Sequence, residues 1–208
     1  LVCASNENKV LFDFFQTGTY DKNREFILTT SPSMDILISS NLERLIYLIT
    51  GEDSEKTGEF MNELKTGGKY EVAEDMKAKL SDFEAGYATE EQTAQMIHDV
   101  YAKAGYVMDT HTAVAAYVSQ KLKEEGKLSE KCLVASTASP FKFVKSVMSA
   151  IDKKYETADE LALMDILKET AGVELPQAIK DILDAKVLHN LECDADKMED
   201  TVKSVLGL

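Results

Sequence analysis

The stretch Asp109-Thr110-His111-Thr112-Ala113-Val114-Ala115 decides the reading of this chain, because it lies where the apolar segment Tyr106-Val107-Met108 runs into a helical pattern. A second junction of the same kind, Ser136-Thr137-Ala138-Ser139-Pro140, follows the apolar segment at 131–135. Each puts hydroxyls at the carboxyl end of an expected strand, and the first adds a histidine and a carboxylate. Open α/β sheets bind their ligands at that end.

Working outward, short apolar runs alternate with helical periodicity. Strands are expected at 1–5, 25–30, 83–88, 106–108 and 131–135. A helix carrying Val10, Leu11, Phe14 and Phe15 follows the first, with Asn6 or Asn8 as its cap and Thr17-Gly18-Thr19 as its end. Ser39-Ser40-Asn41 caps a helix striped by Leu42, Leu45, Ile46 and Ile49. Thr89 with Gln92 three residues on forms a capping box. Ser139 followed by Pro140 starts a helix that buries Phe141, Val144, Val147, Met148 and Ile151. Residues from about 51 to 82 are rich in Glu, Lys and Gly and read as a peripheral helical insert, and about 158–208 as a tail of three helices. Strand–helix alternation implies a three-layer α/β fold, a mostly parallel sheet with helices on both faces.

Composition narrows the function classes. The 208 residues carry a formal charge of −14, with 44% hydrophobic and 29% charged residues. That is globular composition, and the acidic balance argues against nucleic acid or an anionic membrane as partner. No apolar stretch is long enough to span a bilayer. Cys3, Cys132 and Cys193 lack metal-type spacing, and Cys3 and Cys132 sit in apolar runs, as buried reduced thiols of a cytoplasmic protein would. The start on Leu1-Val2-Cys3-Ala4, inside an expected core strand, suggests the later part of a longer protein.

A histidine in the first turn of a helix faces the positive end of the dipole, which favours neutral imidazole. The small residues Ala113 and Ala115 let a flat ring approach the backbone. The plainer reading makes Asp109 and Thr110 helix caps and His111 a satisfied surface group. Ser139 suffices as the cap of its helix, so Thr137, with Ser136 before it, is open to a ligand. His98 reads as a surface residue and His189 as structural or functional with equal ease. Neither a zinc spacing nor a glycine-rich phosphate loop occurs. Met34, Met96, Met108 and Met148 read as core fillers.

Four stretches in order resemble threonine synthase, a pyridoxal-phosphate enzyme of the tryptophan-synthase-β fold type (fold type II). They are Cys3-Ala4-Ser5-Asn6-Glu7-Asn8; Ser31-Pro32-Ser33-Met34-Asp35-Ile36 with Ser39-Ser40-Asn41-Leu42-Glu43-Arg44; Gly105-Tyr106-Val107-Met108-Asp109-Thr110-His111-Thr112-Ala113-Val114; and Ser136-Thr137-Ala138-Ser139-Pro140-Phe141-Lys142-Phe143. The family usually has proline where Thr110 stands and often histidine where Ser139 stands. The resemblance implies part of the large domain of a fold-type II enzyme. It also implies conversion of O-phospho-L-homoserine and water to L-threonine and phosphate with pyridoxal 5'-phosphate as cofactor. By similarity, Thr137 and Ser136 lie at the cofactor's pyridine nitrogen, and Asp109, His111 and Thr112 line its pocket with His111 beside the ring. The family's Schiff-base lysine, in a Phe-Lys-Asp setting, and its glycine- and asparagine-rich phosphate loop find no match here, and Lys142 does not fit. The resemblance therefore implies a carboxyl-terminal portion, inactive alone, whose partner is the amino-terminal half. Two other readings remain: another fold-type II lyase, and a non-catalytic acidic α/β interaction module.

Overall fold

The computed structural model describes residues 1–128, 131–183, 185–188 and 190–208. His189 lies outside the described residues. The chain divides into two compact units, Leu1–Val173 and Glu174–Leu208.

The first unit runs β1 (Val2–Ser5), α1 (Val10–Thr17), β2 (Thr19–Asp21), a 3-10 turn (Pro32–Met34), α2 (Leu42–Ile49), α3 (Ser54–Thr66), β3 (Lys69–Glu71), α4 (Glu74–Ala78), β4 (Glu84–Tyr87), α5 (Glu90–Ala104), α6 (Thr110–Glu124), a 3-10 turn (Pro140–Phe143) leading into α7 (Val144–Ile151), a third such turn (Lys153–Tyr155), and α8 (Ala162–Ala171). β1 and β4 pair in parallel, Val2 opposite Glu84 and Ser5 opposite Tyr87. The second unit holds α9 (Gln177–Leu183) and α10 (Met198–Leu206). The architecture is α/β.

Local chemistry explains the helices. The Thr89–Gln92 capping box forms in both directions, satisfying two backbone N–H groups at the start of α5. Gly18 closes α1 at φ 77°, a left-handed conformation that costs glycine little. Ser139 accepts from Phe141 N, with Pro140 in the first turn. Helices α1 and α6 both pack on the β1–β4 pair. Gly86 permits the close approach of α6, since a Cβ there would stand 2.6 Å from a Val118 methyl.

Several expectations are corrected. Residues 25–30, 106–108 and 131–135 form no strand; among the described residues the only parallel pairing is β1 with β4. β-forming side chains do not make a strand without a neighbour offering free backbone groups. At 25–30 a side chain takes that place: Asn8 accepts from Ile27 N at 3.0 Å and donates to Ile27 O at 2.8 Å. Asn8 and Asn6 therefore do not cap α1, whose N-cap is Lys9 at φ 37° with no side-chain capping bond. Nor does Asn41 cap α2 by its side chain; the Ser39 N–H donates instead to the Tyr20 hydroxyl at 2.7 Å.

Residues 51–82 contain α3 and α4 but also β3, which pairs antiparallel with β2. Leu64, Tyr70, Val72, Met76 and Leu80 from this stretch are buried with Phe14, Tyr20 and Ile46 in one apolar cluster. Tyr20 and Tyr70 stack at 5.5 Å across this antiparallel pair. This stretch is thus part of that core. Val114 and Val118 of α6, Phe141 of the turn leading into α7, Val144 and Met148 of α7, and Leu163 of α8 are also buried. Cys132 is exposed and only Cys3 is partly buried, which corrects the expectation of two buried thiols.

Candidate functional site

The first turn of α6 leaves backbone N–H groups without helical acceptors. Asp109, almost fully buried, supplies one: its Oδ1 accepts from His111 N at 2.8 Å and Thr112 N at 3.2 Å. The same carboxylate accepts from His111 Nδ1 at 3.1 Å, and its Oδ2 from the Thr112 hydroxyl. Asp109 is thus a helix cap, as the plainer reading had it, and also the hub of a side-chain cluster.

His111 is held at both ring nitrogens. The Ser33 backbone N–H donates to Nε2 at 3.1 Å. A backbone amide only donates, so Nε2 carries the lone pair and Nδ1 the proton that Asp109 accepts. The ring is neutral in this arrangement. Phe143 packs against it with centroids 4.8 Å apart.

The two junctions singled out in the sequence meet. Thr112 Oγ1 and Ser136 Oγ are 2.9 Å apart. Because the Thr112 proton goes to Asp109, Ser136 donates in this contact. Ser136 and Thr137 are exposed, and the Thr137 hydroxyl makes no hydrogen bond among the described residues. Asp109, His111, Thr112 and Ser136 therefore form one bonded group, and Thr137 stands next to it with its hydroxyl free. His98 is half-exposed on α5 beside Asp99, away from this group.

The placement of Ser33 follows from a buried polar network that includes Asn6 and Asn8, the two residues expected to cap α1. Asp35 Oδ1 accepts from Asn6 at 2.7 Å, Asn8 at 3.0 Å and the Thr29 hydroxyl at 2.7 Å, and Oδ2 accepts from Thr29 N at 2.9 Å. Asn6 also donates to the Ser31 hydroxyl at 3.1 Å. These bonds set the Ser31–Asp35 turn against the end of β1. The role of Ser33 comes from its main chain, and no residue-type signal announces it.

A cavity of about 680 Å³ lies between α2 and α3, lined by Arg44, Tyr47 and Leu48 among others, and includes none of these residues. Among the described residues no cluster of three His, Cys, Asp or Glu could hold a metal ion, and no helix is long and apolar enough to cross a membrane.

Residues 112–202 match the family model described as threonine synthase, C-terminal. Threonine synthase from Saccharomyces cerevisiae is 34% identical over 204 residues, covering 84% of this chain and 40% of that protein. Human threonine synthase-like 1 is 37% identical over 155 residues, 74% of this chain and 20% of its own length. Among solved structures, yeast threonine synthase superposes with a TM-score of 0.80 at 28% identity, over 100% of this chain and 42% of that one. PLP-bound threonine synthase from Brucella melitensis gives 0.72 at 31% identity, over 98% and 40%. The chain spans 20–40% of the length of these curated relatives.

Proposed function

Since this chain belongs to the threonine synthase family, corresponding to the carboxyl-terminal portion of its members, we propose that it forms one wall of a pyridoxal 5'-phosphate site. In a complete enzyme that site converts O-phospho-L-homoserine and water to L-threonine and phosphate. The opposite wall, with the cofactor lysine and the loop for the cofactor phosphate, comes from an amino-terminal portion, which is the partner this surface requires. The cofactor, when bound, supplies an electron sink for carbanion chemistry on the amino-acid substrate.

The observation that carries this reading is the Thr112–Ser136 contact at 2.9 Å, which joins the two junctions into one surface. The residues present suit the cofactor. Thr137 offers a hydroxyl that is exposed and uncommitted, able to donate to a ring nitrogen without forcing its protonation. Ser136, tied to Thr112, fixes the backbone from which Thr137 projects. Asp109 holds Thr112 and His111, and His111 presents a neutral ring, which adds no positive charge beside the cofactor. The substrate phosphate has no assigned residue in this chain. A cytoplasmic location belongs to the same reading.

The experiment is Thr137→Val in a full-length protein that contains this sequence. Valine keeps the shape and removes the hydroxyl. The cofactor absorption band is expected to shift and turnover to fall roughly 10–100-fold, the kinetic equivalent of one lost hydrogen bond of about 1–3 kcal/mol. A wild-type spectrum and wild-type turnover would remove Thr137 from the site. The chain alone is expected to be colourless and inactive, because covalent cofactor chemistry needs a lysine held in a water-excluded pocket.

A further inference from the structure

Glu90, the first residue of α5, bears an unusual cost. Its Oε1 is buried and has no hydrogen-bond partner among the described residues, although buried polar atoms in folded proteins are nearly always paired. Stabilising α5 does not require it, because Thr89 and Gln92 already cap that helix in both directions. The other carboxylate oxygen is engaged, since Oε2 accepts from the Thr30 N–H at 2.8 Å. The Glu90 N–H donates in turn to Glu7 Oε1 at 3.1 Å. One residue thus ties the segment after β1, the start of α5 and the entrance to the Ser31–Asp35 turn.

That turn carries the Ser33 N–H that meets His111 Nε2. It is held from below by Asp35 and at its entrance by Glu90. The Ser33 N–H at Nε2 acts together with the Asp109 carboxylate at Nδ1, where the Thr110 hydroxyl also lies 3.4 Å away, in setting which ring nitrogen of His111 keeps its proton. In the opposite tautomer two N–H groups would face each other at Ser33, and Asp109 would face a lone pair at Nδ1. We infer that Glu90 is a positioning residue which, through Thr30 and Ser33, locks His111 in the Nδ1–H tautomer. A group approaching the ring from the junction surface therefore meets an imidazole whose proton is already committed to Asp109. This inference stands on the chain's own hydrogen bonds, and its readout needs neither cofactor nor activity, so it fails or survives separately from the proposed function.

The test is side-chain 15N NMR of the uniformly labelled chain at a pH where histidine is neutral. In the wild type the His111 Nδ1 resonance is expected in the protonated range and Nε2 in the unprotonated range. Glu90→Ala removes the acceptor for Thr30, and the two resonances should move toward each other as tautomers mix. Glu90→Gln keeps an acceptor oxygen and should restore the wild-type pattern. Thr89→Ala weakens the cap of α5 without touching Thr30 and should also leave the pattern unchanged. An unaltered ring in Glu90→Ala, or the same convergence in Thr89→Ala, would overturn the inference, as would a wild-type ring protonated at Nε2.

Discussion

Replacing Asp109 by alanine and by asparagine separates its two duties. Alanine removes the N-cap of α6, a loss of about 1 kcal/mol. It also strips the acceptor from the Thr112 hydroxyl and from His111 Nδ1, both bound to this carboxylate. Each donor left buried without a partner costs about 1–3 kcal/mol. The Thr112 hydroxyl has an escape, since it can turn its proton toward Ser136 Oγ at 2.9 Å. The His111 ring is only 11% exposed, and its sole alternative acceptor among the described residues is the Thr110 hydroxyl, 3.4 Å from Nδ1. The total for Asp109→Ala is roughly 2–4 kcal/mol, a large share of a stability of about 5–15 kcal/mol typical of natural domains. Asparagine behaves differently. Its carbonyl still accepts from His111 N, His111 Nδ1 and Thr112 N, while its amide donates to Thr112, whose proton swings to Ser136. Every group keeps a partner and only the charge assistance is lost, so Asp109→Asn is expected to cost about 1–2 kcal/mol. Urea unfolding followed by circular dichroism measures both, provided the slope is unchanged between variants. Equal losses for the two substitutions, or a loss below about 1 kcal/mol for alanine, would refute the account of Asp109 as the bonded hub of the site.

The parts of this structure that sequence reading captured are the parts with local causes. The Thr89–Gln92 box, the Ser139–Pro140 start and the end of α1 at Gly18 each depend on residues within one turn, and all three form as expected. The Asp109–Thr112 cluster was legible for the same reason, since a carboxylate at an N-cap must meet the N–H groups two and three residues on. Pairing is a non-local property. Residues 131–135 have the side chains of a strand, yet Leu133 is fully exposed and no strand pairs with them among the described residues. The β2–β3 pair escaped notice because its strands are far apart in sequence and three residues per strand are too few to show alternation. Ser33 acts through its backbone N–H and Glu90 looks like any acid in a first helical turn. Such contributions leave no mark in residue type, and only coordinates reveal them.

Three further outcomes follow from particular contacts. Gly86→Ala should destabilise the chain by about 1–3 kcal/mol in urea unfolding, because the new Cβ meets Val118 Cγ1 at 2.6 Å in a packed layer; a neutral result would mean that α6 is free to move off the sheet. Burial pushes the Cys3 thiol up to about 11, against an opposing hydrogen bond with Ser5. Alkylation at pH 8 followed by mass spectrometry should therefore modify exposed Cys193 roughly a hundredfold faster than Cys3, and equal rates would contradict that burial. The last concerns acid. Burial works against ionisation of Asp13, but hydrogen bonds from Arg24 at 2.6 Å and Lys9 at 2.9 Å outweigh it and hold the carboxyl below its usual range. A carboxyl lowered on folding contributes stability that is complete above its unfolded value of about 3.9, and loses it as pH falls through the lower folded value. Asp13→Asn should thus lower stability at neutral pH and flatten its decline below about pH 4, measured as unfolding midpoints across that window. A variant that declines as steeply as the wild type would show that Asp13 and Arg24 are not coupled in the folded chain.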